Sequence, residues 1–571
     1  MGIVAIWNGI NDEIQRIGTS GALIIIYGRM ALLFLFAYIG ATIIYIIKQR
    51  TLKLAVKIFF YFITVALYTV AFFLQTNFQL EISNPTCFIL LAETTHAESR
   101  EFIDQYILSS NILPILKRII GYLFIIVCAE LLWNKFRNRL RGKCSITKNI
   151  LTFVLIPILL FSLYSTNIYW KLYNVKSADE IRFLYPPKDP FSSIFTSYQW
   201  INTMKRSMKS FATLNNKIYN DATSHIASKD SLNIVVVIGE SHIKWHSQLY
   251  GYDLMTNPYL SHQQREGRLF VFDDVITSSN YTSIIMKNIL SCNNSSSGED
   301  YYEHPNFLTI FKQAGYDVYF WDNQKQVDPN ATYSFTLNGF LYNPEIYDIT
   351  YTRTNDQSFQ YDEQIVDSFE KNIGTPPCKH NLVLFHLYGQ HTMPKERYPH
   401  NTFKHFTADS VKNDQPYITD EMKEQIAHYD NATLYNDYVL NRIIRLFENS
   451  NTMLVYFSDH GEEVYDYRPQ IGRTHGDITA NILKYQYDIP FIIWCSDTFQ
   501  KNYPATTNAI KQAVNRPFIT DNICNMLFNV AGIETPYYRD SLNLISPNYR
   551  CTERIIKQQY KYEDIRYSID N

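Results

Sequence analysis

What most constrains this chain is the placement of its apolar residues. Four apolar runs crowd the first third, at Ala22–Ile47, Leu54–Gln75, Ile119–Trp133 and Ile150–Asn167. A helix needs about 20 apolar residues to cross a bilayer core, and the first two runs supply that length. The third is short unless it extends back through Ile112–Leu116. The fourth contains Pro157, which a membrane helix tolerates better than a soluble one. The connections are basic. Lys48, Arg50, Lys53 and Lys57 join the first pair. Lys135, Arg137, Arg139, Arg141, Lys143 and Lys148 join the second, with no acidic residue among them. Positive charge accumulates on the cytoplasmic side, so both connections are expected there, with Thr76–Asn111 and everything after Asn167 outside. This gives four spans, or five if Met1–Ser20 also crosses. That stretch is polar, and Asp12 and Glu13 make it unlike a signal peptide. The alternative, a buried helical bundle, does not account for the basic connections.

A mean hydropathy of −0.18 hides this segregation. With 571 residues the chain has room for two to four domains. Three regions are expected: 1–168 as the membrane domain, 169–230 as a connector at the membrane surface, and 231–571 as a soluble domain. The formal net charge of −2 gives no basic excess for binding nucleic acid. The eight cysteines show no CxxC spacing, which excludes zinc-ribbon and thioredoxin-like motifs. Cys128 lies in an apolar run and Cys144 in a basic loop. The other six, Cys87, Cys292, Cys378, Cys495, Cys524 and Cys551, are able to pair in an oxidising compartment, in a pattern the sequence leaves open.

From Ser231 the texture changes to short apolar runs that end in polar clusters. They are Ile234–Ile238, Leu269–Val271, Val318–Trp321, Leu382–Leu387, Met453–Phe457 and Ile489–Trp494, with helical patterns between several of them, such as Glu421–Phe447. Buried strands alternating with helices predict an α/β domain with a largely parallel central sheet. In such sheets the working site lies beyond the carboxyl ends of the strands. The first strand runs into Gly239-Glu240-Ser241, a later one into Gly389-Gln390-His391, and another into Ser458-Asp459-His460-Gly461-Glu462-Glu463. Glu240, Asp459, His460 and His391 are thus expected to converge at one edge. Carboxylates with an imidazole suit a divalent metal, zinc above all. Read singly, each has a plainer role: a helix cap, a turn, a solvent-exposed histidine. Three strand ends bearing metal-ligand types favour the metal.

These residues also carry a family pattern. Ile238-Gly239-Glu240-Ser241, the following Leu249-Tyr250-Gly251-Tyr252, and Thr256-Asn257-Pro258 resemble the signature of bacterial phosphoethanolamine transferases, the sulfatase-like branch of the alkaline phosphatase superfamily. Ser458-Asp459-His460-Gly461-Glu462, the His391 loop and Arg473-Thr474-His475-Gly476 match in order. The resemblance covers the whole chain and implies an N-terminal α-helical transmembrane domain with a periplasmic sulfatase-like catalytic domain, anchored in the inner membrane of a Gram-negative envelope. It implies zinc held by Glu240, Asp459 and His460, with a nucleophilic threonine as the fourth contact. Thr282 has the matching spacing and opens the apolar run Ile284–Leu290; Thr277, Ser279 and Ser283 are competitors. A helix N-terminus there would favour a phosphoryl group, although threonine is also a favoured cap. His391 and His475 resemble the substrate-side histidines, which contact phosphate, assist the leaving group or hold a second zinc. Asn323 and Lys325 follow a strand where the family makes polar contacts to the transferred group. Thr94 and Glu98, in Thr94-Thr95-His96-Ala97-Glu98-Ser99, resemble an external segment near the substrate head group.

The resemblance implies transfer of phosphoethanolamine from phosphatidylethanolamine, through a covalent threonine intermediate, to lipid A, lipopolysaccharide core or another envelope glycan. Two departures bear on the acceptor: Met286-Lys287-Asn288 stands where members often have Pro-Cys, and His242 displaces a usual basic residue. A sulfatase would need Cys/Ser-x-Pro-x-Arg, which neither Ser283 nor Cys292 begins. A phosphoglycerol transferase shares the threonine and metal logic. A non-catalytic membrane scaffold or sensor is the rival of another class.

Overall fold

A computed structural model describes residues 30–78, 112–140 and 190–567 apart from short gaps at 32, 228–230, 326–335, 375–378, 392 and 475–477, with scattered positions in 99–108 and 156–164. Thr94, Glu98 and His475 lie outside the described residues, as do most of the fourth apolar run and the start of the first. The chain divides into two compact units between Lys205 and Arg206.

In the first unit, helix α1 (Arg50–Phe78) is, among the described residues, the one helix long and apolar enough to cross a membrane. Leu33–Ile46 is apolar but shorter, and α2 (Leu113–Leu140) carries Lys117, Arg118 and Glu130. The expected set of four spans thus rests on one helix that meets both criteria. Helices α1 and α2 pack antiparallel: Lys57 pairs with Glu130 at 2.6 Å, Tyr68 meets Tyr122, and the Arg118 guanidinium lies 4.5 Å above the Phe72 ring. Antiparallel packing puts the basic start of α1 and the basic end of α2 at the same end, as the charge pattern predicts.

Helix α3 (Pro190–Asp221) leads into the second unit. Its residues Phe211 and Ala212 are fully buried in the core there. The connector expected over 169–230 therefore ends in a helix whose last turns belong to the soluble fold, because an apolar stripe on those turns needs a partner surface.

The second unit is built on β1 (Leu232–Gly239), β2 (Leu269–Phe272), β3 (Asp317–Asp322), β4 (Arg353–Thr354), β5 (His380–His386), β6 (Thr452–Ser458) and β7 (Phe491–Cys495), in the order β2-β7-β6-β1-β5-β3-β4. Only β7 runs against the rest; β1, β3, β4, β5 and β6 pair in parallel. All six strands expected from the apolar runs are present; the edge strand β4 is an addition. Helices α4 (Thr282–Leu290), α5 (Phe307–Ala314), α6 (Asp362–Asn372), α7 (Asp420–Phe447) and α8 (Ile523–Ala531) cover the two faces. Successive strand residues alternate between the faces. Ile234, Val236 and Ile238 enter the core shared with α3, α4, α5 and α8. Val235 and Val237 enter the core shared with α6 and α7. Because both faces are covered, the strands read as continuous apolar runs. Thr419 caps α7 by accepting from the Met422 N–H at 3.3 Å, with Asp420 and Glu421 in the first turn, where negative charge complements the helix dipole.

Candidate active site

The strand register aligns the polar clusters. Gly239 pairs with Ser458 and Ile238 with His386, so β1, β5 and β6 end at one level. The next residues, Glu240 and Asp459, leave the sheet together, tied by the Asp459 N–H to the Gly239 carbonyl at 2.9 Å. Both are fully buried, as is His460. One donor atom from each of the three lies within 4.8 Å of the others. The His460 Nε2 is 3.1 Å from Glu240 Oε1 and 3.2 Å from Asp459 Oδ2.

Thr282 joins this cluster from α4. It is the first residue of the helix, yet its hydroxyl does not cap a backbone N–H. It donates to Glu240 Oε2 at 3.0 Å and lies 3.2 Å from His460 Nε2. Thr277 and Ser279 are buried with no hydrogen-bond partner for their hydroxyls.

The electrostatics favour a cation among these groups. Burial penalises the Glu240 charge, but His460, His391 and Arg473 hold its carboxyl well below the usual range. Burial, then the charge on Glu240, pushes Asp459 well above its usual range. Two buried carboxylates this close do not both ionise without a compensating positive charge. Burial, followed by Arg473, lowers His460, with Glu240 opposing them. The His460 Nδ1 faces the Gly461 carbonyl at 2.8 Å; a carbonyl only accepts, so Nδ1 carries the proton and Nε2 presents a lone pair to the cluster. Asp459 Oδ2 is buried with no hydrogen-bond partner. Two carboxylates, a neutral imidazole and a hydroxyl fit a zinc ion, with the hydroxyl in the reactive position.

Several residues hold this arrangement. Ser241 adopts φ +57, a left-handed conformation that costs a non-glycine residue energy. Its N–H reaches Asp459 Oδ1 at 3.2 Å and its hydroxyl donates to Glu240 Oε1 at 2.8 Å, so the strained turn orients both carboxylates. Gln324 donates to Glu240 Oε2 at 3.2 Å and to the Leu387 carbonyl at 2.9 Å. The Arg473 Nη1 lies 2.6 Å from His460 Nε2 and donates to the Asn280 carbonyl at 3.2 Å. The sequence reading gave no role to Gln324 or Ser241 and took Arg473 only as part of a motif. Their signal was adjacency: each sits within two residues of a residue singled out.

The other expected residues fall differently. His391 lies in the loop after β5, close enough for its charge to act on Glu240. Asp362, at the start of α6, holds that loop through the N–H groups of Tyr388 at 2.8 Å and Gly389 at 2.9 Å. Asn323, expected to touch the transferred group, is fully buried. Its amide donates to Asp362 at 2.8 Å and accepts from the Phe359 N–H at 2.6 Å. Lys325 bonds the Thr354 hydroxyl at 3.2 Å and the Asn355 carbonyl at 2.5 Å, which ties it to edge strand β4.

A family profile described as Sulfatase matches residues 232–533, from the start of β1 to just past α8. The chain belongs to the sulfatase family. Among its relatives, phosphoethanolamine transferase EptC of Escherichia coli strain K12 is 29% identical over 491 residues, covering 84% of this chain and 80% of that protein. The crystal structure of the C-terminal periplasmic domain of EptC from Escherichia coli, in complex with zinc, is 29% identical with a TM-score of 0.51, covering 59% of this chain and 93% of that one. The integral membrane protein lipooligosaccharide phosphoethanolamine transferase A from Neisseria meningitidis matches with a TM-score of 0.53 over 95% of both chains. At 18% identity that likeness is one of fold.

Proposed function

We propose that this sulfatase-family enzyme transfers phosphoethanolamine from phosphatidylethanolamine to an envelope glycolipid or glycan, lipid A or lipopolysaccharide core first among them. We place its catalytic domain in the periplasm and its N-terminal helices across the inner membrane. The observation that carries the reading is the Thr282 hydroxyl at a helix N-terminus, within hydrogen-bonding distance of both Glu240 and His460. The curated relatives named as phosphoethanolamine transferases support the transferred group. The antiparallel α1–α2 pair, basic at one end, supports the membrane anchor.

Glu240, Asp459, His460 and Thr282 would hold zinc, which when bound lowers the pKa of a coordinated hydroxyl and offsets phosphoryl charge. The residues do the rest. Thr282 Oγ1 attacks the phosphorus of the donor as its proton passes to Glu240 Oε2, which returns it to Oγ1 when the intermediate breaks down. The bond to the diacylglycerol oxygen breaks, and His391 or His475 protonates that oxygen as it leaves. The phosphoethanolamine-threonine sits at the N-terminus of α4, where the helix dipole favours the anion. In the second step an acceptor hydroxyl gives its proton to the same histidine and attacks the intermediate, restoring Thr282. Thr94 and Glu98 would meet the ethanolamine amine.

Intact-protein mass spectrometry with peptide mapping, after incubation with phosphatidylethanolamine and zinc, tests this reading. A phosphoethanolamine adduct on Thr282, absent in Thr282→Ala, is expected. An adduct on a neighbouring hydroxyl would move the nucleophile. No adduct in folded, zinc-loaded protein, with one appearing from phosphatidylglycerol, would make the enzyme a phosphoglycerol transferase.

A further inference from the structure

Arg473 reaches the site on a short two-stranded ribbon. Glu463–Val464, in the loop that follows His460, pairs antiparallel with Ile471–Gly472, and Gly472 lies opposite Glu463. Gly472 has φ +103, a conformation that favours glycine, and Arg473 leaves the ribbon directly after it. The ribbon is tied to the segment that carries the nucleophile. Glu463 is buried and accepts from the Tyr467 hydroxyl at 2.9 Å, from Arg468 twice at 2.7 Å and from the Gln486 amide at 2.6 Å. Gln486 in turn accepts from the Asn280 amide at 2.7 Å, two residues before Thr282. Half-buried Arg473 thus stands in a fixed relation to the nucleophile. Its Nη1 donates to the Asn280 carbonyl at 3.2 Å and faces His460 Nε2 at 2.6 Å. Thr282 Oγ1 lies 3.2 Å from that same nitrogen, so guanidinium and nucleophile share one neighbour. A guanidinium offers five N–H groups. Among the described residues, neither Nε nor Nη2 of Arg473 has an acceptor, and no carboxylate pairs with the group.

We propose that Arg473 is a catalytic residue whose guanidinium binds the non-bridging oxygens of the phosphoryl group passing onto Thr282. This rests on the phosphoryl-transfer reading above. Such transfer spreads charge over those oxygens, and the planar fork of an arginine matches two of them at once. Thr282 Oγ1 becomes the bridging oxygen, so the group it receives arrives beside the guanidinium. Arg473 stays charged throughout and exchanges no proton; it contributes hydrogen bonds that strengthen as the oxygens gain charge. A second consequence follows from the same placement. Nη1 faces the lone pair that His460 would present to zinc, so Arg473 and the metal compete for one nitrogen. Engagement with a phosphoryl group draws the guanidinium away from that nitrogen and removes the competition. The residue therefore opposes zinc binding and favours phosphoryl binding, a combination that a purely structural arginine does not produce.

The test uses the full chain in detergent, stripped with a chelator, as wild type, Arg473→Met and Arg473→Lys. Calorimetric titration measures zinc affinity, then the affinity of the zinc-loaded chain for inorganic phosphate. The adduct assay gives the single-turnover rate on Thr282. Arg473→Met should bind zinc about tenfold tighter, because the competing donor is gone. It should bind phosphate about tenfold more weakly and form adduct about 100-fold more slowly. A residue that only supports the fold would weaken all three together. Arg473→Lys keeps the charge and loses the fork, so its phosphate affinity should fall between those of Arg473→Met and wild type. The lysine variant also carries the comparison with wild type if Arg473→Met does not fold. Unchanged phosphate affinity in Arg473→Met, or weaker zinc binding, would overturn the proposal. Failure of the functional reading looks different: wild type then forms no adduct from phosphatidylethanolamine, while phosphate affinity still falls in Arg473→Met.

Discussion

Replacing Asp459 with asparagine separates two effects that most substitutions confound. Asp459 Oδ1 accepts from the Ser241 N–H at 3.2 Å and the His460 N–H at 2.7 Å, and asparagine keeps an oxygen there. Oδ2 has no hydrogen-bond partner, and it lies 3.2 Å from the His460 Nε2 lone pair. An amide in its place removes a carboxylate from beside Glu240, while the lone pair already faces the Arg473 Nη1 at 2.6 Å. The metal-free protein should therefore melt no lower than wild type, or slightly higher. Zinc loses one of its two anionic ligands at a buried site. Removing one partner of a buried charge pair costs about 3–5 kcal/mol. At about 1.4 kcal/mol per tenfold, zinc affinity should fall on the order of 1,000-fold. Calorimetric titration of chelator-stripped protein measures the affinity, and melting curves with and without zinc measure the stabilisation it brings. Two results would refute the reasoning: zinc binding at wild-type strength in Asp459→Asn, or metal-free destabilisation as large as the loss seen with zinc.

Three further outcomes are expected. Gly389 has φ +54, and a Cβ there would lie 2.5 Å from the Glu240 carbonyl oxygen; Gly389→Ala should destabilise by about 2 kcal/mol or more and weaken zinc binding, read by melting and titration. Gln324→Ala should cost about 1 kcal/mol of stability and most of the transfer rate, while Asn323→Ala should cost about 2–3 kcal/mol through its two lost buried hydrogen bonds; denaturant melts beside an adduct-formation assay distinguish them. His246 is buried between Asp430 at 2.7 Å and Asp466 at 3.0 Å; burial lowers its pKa, but the two carboxylates outweigh this and raise it to about 10. The folded pKa lies above the unfolded value near 6.5, so the native state holds the extra proton between them. The stability His246 contributes is complete below about pH 6.5 and is lost as pH rises through about 10. The gap in melting temperature between wild type and His246→Gln should be widest below about pH 6.5 and narrow as pH rises toward about 10; a constant gap would show that the imidazolium is not what matters.

Much of the soluble fold was legible because burial on both faces writes each strand as an uninterrupted apolar run. Ile234–Ile238 and Met453–Phe457 needed no further context. The reversed direction of β7 was not legible, since Ile489–Trp494 reads the same either way and its orientation depends on which neighbours it pairs with. Strand β4 has two residues, too few for any period. In the membrane region α1 matches its apolar run, and α2 begins at Leu113, inside the backward extension through Ile112–Leu116 that its short run needed, with Glu130 among its apolar residues.

The site was legible at the strand ends and lost where the pleat stops. Consecutive residues on a strand point to opposite faces. Asp459 and His460 share one cluster only because β6 ends at Ser458 and the chain turns there. Gly461 permits the turn. A Cβ on it would meet the Tyr485 carbonyl oxygen at 2.0 Å, so the loop lies against that backbone as no side chain would allow. The same break limits the reading after β3. Asp322, its last residue, pairs with His386 at 2.8 Å and accepts from the Tyr342 hydroxyl at 2.8 Å. Beyond it, alternation no longer says which side chain faces the site, and the reading that named Asn323 and Lys325 had no signal for Gln324. That signal is three-dimensional: Asp362, 39 residues away from Asn323, claims the asparagine amide, and this leaves the glutamine to reach Glu240. A motif fixes the residues whose spacing the chemistry demands, the carboxylates and the imidazole. The residues that aim them are selected by neighbours far off in the chain, and a single sequence does not record those neighbours.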